Sequence, residues 1–296
     1  MTAPFDPGSG AAIVDVVDTM VTVPSSRDAW QSAFAGLIRD PASAGGAHPA
    51  SHLFADVPEV DGTADFVAYL LAEMDRYGIA TALMPVAEGD LWGCRGVTEH
   101  PDRLAGVAMV DPNDRRTLAA LARLVADGSA VAAAVFPAGT SPQVGLGDAA
   151  MYPVYARCVE LDLPILVNVG VPGPRLPLAT QRVEPLDQVC LDFDDLTIVT
   201  RHGGEPWERL LVELMRRHRN LHYSTSAFAP RHYPQAVIDF ANHDGADQVL
   251  YAGYFPSGLS LDRIFSELPN VPFADATWPR FLGANARRIF RLDSLG

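Results

Sequence analysis

Apolar residues along this chain are gathered into short runs, and most of the runs show no alternation between apolar and polar positions. Runs of this kind are typical of parallel strands that are covered on both faces. The pattern predicts eight strands, over residues 11–17, 79–86, 104–110, 130–136, 164–170, 196–202, 221–226 and 248–254.

The segments between the predicted strands have the periodicity of amphipathic helices. Residues 64–78, 114–128 and 205–220 each place apolar side chains on one helical face. The first of these segments ends at Gly78, and glycine commonly terminates helices. The third is expected to carry Pro206 in its first turn, where the missing N–H of proline costs no hydrogen bond.

Eight strands that alternate with helices predict a (β/α)8 TIM barrel, a fold of typically ~250 residues. We expect one such domain over residues 1–296. A doubly wound sheet is the alternative, but no Gly-x-Gly-x-x-Gly motif follows the first strand. Residues 22–60 are too long a segment for an ordinary loop, which predicts a cap over the active-site mouth that contains His48 and His52.

Composition and charge restrict the partners of the protein. Of the 296 residues, 48% are apolar and 20% are charged, as in folded globular proteins. The formal net charge of −14 argues against nucleic acid or an anionic membrane as a partner, because both bind basic surfaces. No apolar run approaches the roughly 20 residues that span a bilayer, and no signal-peptide pattern opens the chain. Three scattered cysteines do not indicate a disulfide framework. We expect a cytoplasmic protein that binds a small molecule.

The chain contains no lysine, because all 22 of its basic residues are arginine. This excludes a Schiff-base lysine, a pyridoxal phosphate anchor and a P-loop lysine. It also excludes a carboxylated lysine as a bridge between metal ions.

In a TIM barrel, the residues that follow each strand surround the active site. His202 ends the sixth predicted strand and is the candidate general acid/base, with Asp18, Asn168 and Tyr254 as supporting polar groups. Each has a structural alternative: His202 and Asp18 can brace neighbouring loops, Asn168 can hold backbone in place, and Tyr254 can act as an aromatic lid. The candidates for substrate contact are Thr19, Trp92, Phe136, Arg175, Ser226, His48 and His52.

Five segments carry a family resemblance when they are taken together. They are HPDRLAGVAMVDPND, LPILVNVGVPGP, LTIVTRHGGEPW, DQVLYAGYFPSGLSLDRIFSEL and FLGANARRIFRL. Over roughly residues 12–292, the chain resembles the amidohydrolase-related (amidohydrolase 2) barrel family, which includes aminocarboxymuconate semialdehyde decarboxylase and benzoate-type decarboxylases. The resemblance implies a TIM barrel and a decarboxylase-like site. Related proteins commonly pair, so a homodimer is compatible with it.

The metal ligands that the family pattern implies are largely missing from this chain. An Asp-x-His-x-His motif on the first strand would supply two histidine ligands, but the matching positions are Val17 and Thr19. The histidine implied on strand five is Asn168, and the aspartate implied on strand eight is Tyr254. Only the histidine of strand six is retained, as His202.

Zinc or manganese needs three or more imidazole, carboxylate or thiolate donors that converge at about 2.0–2.3 Å. A replacement site built from Asp15, Asp18 and His202 is the alternative, although neighbouring strand positions need not converge. We therefore expect neither a metal nor another cofactor.

Three functions are compatible with this sequence. The leading hypothesis is a metal-independent lyase or isomerase that decarboxylates, dehydrates or cyclises a small conjugated carbonyl or carboxylate compound, in specialised metabolism. The second is metal-free hydrolysis of a lactone or an activated ester, with Arg175 or an arginine of the cap binding a substrate carboxylate. The third is a non-catalytic protein that binds a small molecule or a partner subunit.

Overall fold

The structure, a computed structural model, describes residues 15–23, 37–38, 51–54, 57–58, 60, 65–90 and 92–294. Eight parallel strands form one sheet in sequential order. This arrangement confirms the predicted barrel. The strands are β1 (Val16–Asp18), β2 (Ile79–Val86), β3 (Leu104–Met109), β4 (Ala132–Val135), β5 (Ile165–Asn168), β6 (Ile198–Arg201), β7 (Leu221–Ser224) and β8 (Val249–Leu250).

Backbone contacts between the first and last strands close the sheet into a barrel. Beyond the end of β1, Val21 forms a parallel bridge with Phe255. The N–H of Thr22 donates to the carbonyl of Phe255 at 2.7 Å, and the N–H of Tyr254 donates to the carbonyl of Met20 at 2.9 Å. We call these paired segments, residues 18–22 and 251–255, the closing seam.

In the part of the chain that the structure describes, a helix follows each strand and one more helix follows the eighth unit. A π-helical turn, Arg280–Ala284, leads into this last helix. The helices are α1 (Phe66–Tyr77), α2 (Gly93–Glu99), α3 (Arg115–Ala126), α4 (Tyr152–Glu160), α5 (Leu186–Asp192), α6 (Glu208–Arg217), α7 (Gln235–Asn242), α8 (Leu261–Glu267) and α9 (Asn285–Phe290).

Local sequence explains where the helices start and stop. The side chain of Asp65 accepts hydrogen bonds from the first N–H groups of α1, and Gly78 ends the helix in the left-handed conformation with φ 70°. Asp114 caps α3 in the same way. The expectation that Pro206 lies in the first turn of α6 is wrong, because α6 begins at Glu208. Before it, a tight turn intervenes in which the N–H of residue 207 donates to the carbonyl of residue 204 at 2.7 Å.

Six strands end earlier than the apolar pattern predicts, and two of them, the sixth and the eighth, end before a residue predicted to be functional. The sixth stops at Arg201 because His202 has a φ of 67°. The eighth stops at Leu250, and Tyr254 beyond it has a φ of 64°. A positive φ is incompatible with an extended strand.

The interior of the barrel is filled from its amino-terminal end. Side chains that face the barrel axis form one apolar cluster with Ile289 and Phe290 of α9. Arg287 of α9 lies 3.5 Å from Asp15, which precedes β1. The plug formed by α9 therefore closes the amino-terminal end, and any cavity must open at the carboxyl ends of the strands.

Most of the predicted cap, residues 22–60, lies outside the described residues, and so does His48. The cap therefore stays a prediction, although residues 52–54 are described and reach the cavity wall. Among the described helices, none combines the length and the apolar character that a membrane crossing requires.

Candidate functional site

A cavity of about 1080 Å³ opens at the carboxyl ends of the strands. Its described wall contains four arginines, Arg175, Arg201, Arg231 and Arg263, but one carboxylate, that of Glu205. The chain as a whole carries a net charge of −14. A positively lined cavity within an acidic protein concentrates small anions.

His202 is held at the cavity wall by its backbone and by one serine. The backbone N–H of His202 donates to Ser226 Oγ at 3.0 Å. The same oxygen lies 3.2 Å from Nδ1 of the imidazole. The next residue must be glycine, because a Cβ on Gly203 would lie 2.4 Å from the ring of Phe228 and the φ there is 76°. Ser226 thus orients the ring from its Nδ1 edge, and Nε2 is on the other edge.

Tyr254 lies edge-on to this imidazole, with ring centroids 5.3 Å apart. The phenol ring also packs against the ring of Phe54, with ring centroids 5.6 Å apart. Burial raises the pKa of Tyr254 to about 12, and the nearby Arg201 opposes this shift. The phenol therefore stays protonated at neutral pH and can donate a hydrogen bond.

Below these two rings, three polar side chains form a row across neighbouring strands, which we call the polar row: Asn168, Arg201 and Ser224. The register pairs Asn168 of β5 directly with Arg201 of β6. It also pairs Thr200 with Tyr223. Arg201 and Ser224, the residues that follow this pair, therefore lie at the same level of the sheet. Asn168 and Arg201 lie on strand faces that also carry residues of the interior cluster. Ser224 lies on the face of β7 opposite Tyr223, which packs in the outer apolar cluster, so the row faces the barrel axis.

Arg201 is the functional candidate that the sequence did not reveal. Its side chain is 6% exposed and its Nε has no hydrogen-bond partner among the described residues. Burial lowers the pKa of Arg201 to about 10, and the nearby Tyr254 opposes this shift. The alternation of side chains along a strand could have revealed it. Residues 199 and 201 point to the same face, so a valine that faces the barrel axis at 199 implies an arginine that faces the axis at 201.

The structure places Asp18 outside the cavity. Asp18 is fully buried, and its Oδ1 accepts hydrogen bonds from the N–H groups of Gly253 at 2.8 Å and Met20 at 3.0 Å. Its Oδ2 has no partner in the described residues and lies beside Gly253 and the hydroxyl of Tyr251. Burial raises the pKa of Asp18 to about 7 against the effect of those two N–H groups. The carboxyl group braces the closing seam, and this position does not support its predicted catalytic role.

The other predicted contact residues divide into those that line the cavity, those that do not, and one that lies outside the described residues. Phe136, Arg175 and His52 line the cavity as expected. Ser226 is fully buried and contacts His202 rather than the cavity space. His48 lies outside the described residues.

Thr19 and Trp92 do not line the described cavity. Thr19 is buried and its hydroxyl donates to the carbonyl of Tyr251 at 2.6 Å, so the closing seam uses it. Trp92 packs edge-on against Phe66 of α1 at 6.5 Å, with the guanidinium of Arg95 over its ring. The expectation that these two side chains contact substrate is therefore not supported.

The residues at the family's ligand positions do not fit a divalent metal. Val17 packs in the interior cluster and has no donor atom. The hydroxyl of Thr19 donates its hydrogen bond to the backbone carbonyl of Tyr251. The phenol of Tyr254 keeps its proton at neutral pH, so it is not an anionic ligand. The alternative site fails because Asp15 lies beside α9, at the opposite end of the barrel from His202. Within the described ranges, no group of three histidine, cysteine or carboxylate side chains could hold a metal ion.

Fold and site together define a class of protein: a (β/α)8 barrel whose cavity, lined by polar as well as apolar side chains, opens at the carboxyl ends of its strands. Barrel enzymes have their active sites at this end. The chain belongs to the amidohydrolase family, because a sequence model of that family, described as amidohydrolase, matches residues 24–292. This match confirms the resemblance inferred from the sequence. A search of curated proteins found no match.

Solved structures of similar fold cover nearly the whole chain. An uncharacterised TIM-barrel protein from Bordetella bronchiseptica has a TM-score of 0.70 at 18% identity, covering 94% of this chain and 99% of its own. A 4-oxalomesaconate hydratase from Rhodopseudomonas palustris has a TM-score of 0.60 at 20% identity, with 95% and 97% covered. A 2,6-dihydroxybenzoate decarboxylase complexed with 2,6-dihydroxybenzoate has a TM-score of 0.62 at 17% identity, with 95% and 99% covered. At such identities the likeness establishes the fold.

Proposed function

We propose that this protein is a lyase- or isomerase-type enzyme that acts without a divalent metal on a small conjugated carbonyl or carboxylate compound. His202 is its general acid/base. One observation carries the proposal: an imidazole fixed by Ser226 stands on the cavity wall beside a protonated phenol, while Val17 and Thr19 replace metal ligands.

The arrangement suits proton transfer at carbon. In a decarboxylation, the C–C bond to the leaving CO2 breaks and its electron pair stays on the substrate, where a conjugated carbonyl accepts it as an enolate. The imidazolium of His202 then gives a proton to that carbon, and the product carries a new C–H bond. The phenol of Tyr254 and the amide of Asn168 are donors for the enolate oxygen. In a dehydration or an isomerisation, the neutral imidazole removes a proton beside the carbonyl.

The side chains at the family's metal-ligand positions also favour substrates that a conjugated carbonyl group has already activated. In metal-assisted hydrolysis of an unactivated amide, a bound metal acidifies the attacking water, and the side chains at the ligand positions do not provide for such a metal. Proton transfer next to a conjugated carbonyl needs only a base and an acid of moderate strength, which histidine supplies.

The structural neighbours support a lyase-type reaction. One of them is a decarboxylase and another is a hydratase. Both names describe reactions in which a small molecule is removed from or added to a carbon atom. Such reactions require proton transfer to or from the substrate, which is the role proposed for His202. Their identities of 17% and 20% leave the substrate to experiment.

The test is turnover after removal of metals. Purified protein is dialysed against a chelator and assayed with 2,6-dihydroxybenzoate and a panel of conjugated 2-oxo acids, by CO2 release and loss of substrate absorbance. We expect turnover to survive chelation and to fall on the order of 10²- to 10⁴-fold in His202→Asn. The matched control is His243→Asn, because His243 is exposed at the end of α7.

Four results would overturn the proposal. Turnover that disappears on chelation and returns with Mn²⁺ would contradict the metal-free reaction. An unchanged rate in His202→Asn would exclude that residue as the acid/base. Oxygen-18 from labelled water in a product carboxylate would indicate hydrolysis of a lactone or an ester, and binding without turnover of any compound would indicate a non-catalytic protein.

A further inference from the structure

We propose that Arg201, together with Ser224 of the polar row, is the receptor for a carboxylate that the substrate keeps throughout the reaction. This inference deepens the proposed function and rests on it only for the location of the site. It assigns the substrate to the conjugated carboxylates and gives Arg201 the role of a positioning and specificity residue.

The polar row is built like a binding site for an anion. Arg201 is buried at the floor of the cavity, in register with Asn168 on one side and level with Ser224 on the other. Both Arg201 Nε and Ser224 Oγ are buried polar atoms without hydrogen-bond partners in the described part of the chain. Buried polar atoms are nearly always hydrogen-bonded in folded proteins, so two orphans side by side point to a missing ligand.

Two other arginines of the cavity form ion pairs and differ from Arg201 in this respect. Arg231 and Arg263 share the carboxylate of Glu267, at 3.5 and 3.1 Å. Arg201 has no such neighbour among the described residues, although a buried charge is costly unless an opposite charge accompanies it. A carboxylate satisfies a guanidinium through two parallel hydrogen bonds, which makes it the anion that best fits this group.

The carboxylate at Arg201 is one that stays on the substrate. When a carboxylate departs as CO2, its negative charge moves into the carbon framework. An ion pair with a buried guanidinium stabilises the charge where it starts and therefore opposes that movement. A decarboxylation at this site thus requires a second carboxylate, nearer to His202, whereas a dehydration or an isomerisation requires only the one held by Arg201.

The experiment compares benzoate with benzamide, which has nearly the same shape but no charge, by titration calorimetry. We expect the native protein to bind benzoate at least about 10-fold more tightly than benzamide. Arg201→Met should abolish this preference. It should also raise the melting temperature by about 3 °C, because an apolar side chain of similar length replaces an unpaired buried charge. Arg201→Lys keeps the charge but loses the planar fork, so it should retain only part of the preference.

The matched control is Arg103→Met, which removes an arginine at the other end of the barrel. Arg103 donates to the backbone carbonyls of Ile79 and Ala80 at 3.2 and 2.9 Å. We expect this variant to keep the preference for benzoate and to melt at a lower temperature. The two methionine variants therefore change binding and stability in opposite ways.

A native protein without preference for benzoate overturns the inference, whatever the variants do. So does an Arg201→Met variant that keeps the preference. If Arg201→Met does not fold, Arg201→Lys decides, because a full native preference in that variant would contradict a bidentate contact. His202→Asn should bind benzoate like the native protein, so a failure of the acid/base proposal and a failure of the carboxylate receptor give different results.

Discussion

His202 and Tyr254 share a backbone conformation that residues with side chains rarely adopt, with φ values of 67° and 64°. Such conformations persist only where surrounding contacts impose them. Ser226 accepts the backbone N–H of His202, and the carbonyl of Met20 accepts that of Tyr254. These contacts turn both rings toward one another at the cavity wall. The backbone strain is thus located at the two residues whose side chains carry the proposed chemistry.

Asp18 provides a test of how the closing seam responds to pH. Its pKa is raised from 3.8 to about 7, so the folded protein binds the proton more tightly than the unfolded chain does. The stability contributed by the protonated group is complete below about pH 4 and is lost as the pH rises through 7. Asp18→Asn stays neutral throughout, so its advantage in unfolding free energy over the native protein should grow by on the order of 3 kcal/mol between pH 4 and 8.

Urea unfolding at a series of pH values measures this difference. Asp15→Asn is the control, because Asp15 is an exposed carboxylate at the other end of β1. A difference between Asp18→Asn and the native protein that does not vary with pH would show that Asp18 does not take up a proton on folding in this range.

The structure brings some predicted site residues to the cavity and places others away from it, for identifiable reasons. His202 is visible in one sequence as a histidine at the end of an apolar run, and it lines the cavity. Asp18 was expected at the cavity because the predicted strand ended at residue 17, whereas β1 includes Asp18 and turns its side chain away from the barrel axis. In a strand, an error of one residue exchanges the two faces. Arg201 was overlooked because the predicted strand extended past it.

At the scale of elements, the apolar pattern fixed the order of the strands more firmly than their ends. The strand predicted at 79–86 has those bounds in the structure, while that predicted at 248–254 is reduced to Val249–Leu250. The apolar pattern shows which residues are buried. It does not show where a buried segment leaves the extended conformation, so it misplaces the ends of strands. The tight turn before α6 was missed for the same reason.

Gly106 in β3 shows how closely the strands and the loops between them approach one another. A Cβ at this position would lie 1.8 Å from the backbone carbonyl oxygen of Ser129. Gly106→Ala should therefore lower the free energy of unfolding by about 3 kcal/mol, because backbone must move to make room. Gly128→Ala is the matched control, since a Cβ there meets nothing within 4 Å and only the φ of 79° opposes it, which costs about 1 kcal/mol.

Denaturant titrations of both variants test this expectation. Equal losses of stability in Gly106→Ala and Gly128→Ala would show that the strand relaxes around the added methyl group and that its packing is looser than the structure indicates.

At the scale of the whole molecule, the plug formed by α9 separates a sealed end of the barrel from an open one. Phe290 is 2% exposed and belongs to the interior cluster. Phe290→Ala should lower the free energy of unfolding by about 3–5 kcal/mol, because no neighbouring side chain can fill the space inside a closed barrel. Leu191→Ala, at a surface position of α5 that is 52% exposed, should change it by about 0.5 kcal/mol or less.

Calorimetric or urea unfolding of the two variants measures the contrast. A loss in Phe290→Ala no larger than that in Leu191→Ala would mean that the plug is dispensable and that the strands alone stabilise the barrel.

The closing seam has a consequence for how this chain folds. The hydroxyl of Thr19 and the carbonyl that accepts it are 232 residues apart in sequence. Contacts of such high order form late, because much of the polypeptide must already be arranged before the two strands can meet. Until then, β1 and β8 present open hydrogen-bonding edges that can recruit strands from other molecules. Chaperones that shield these edges during synthesis should therefore increase the yield of folded protein.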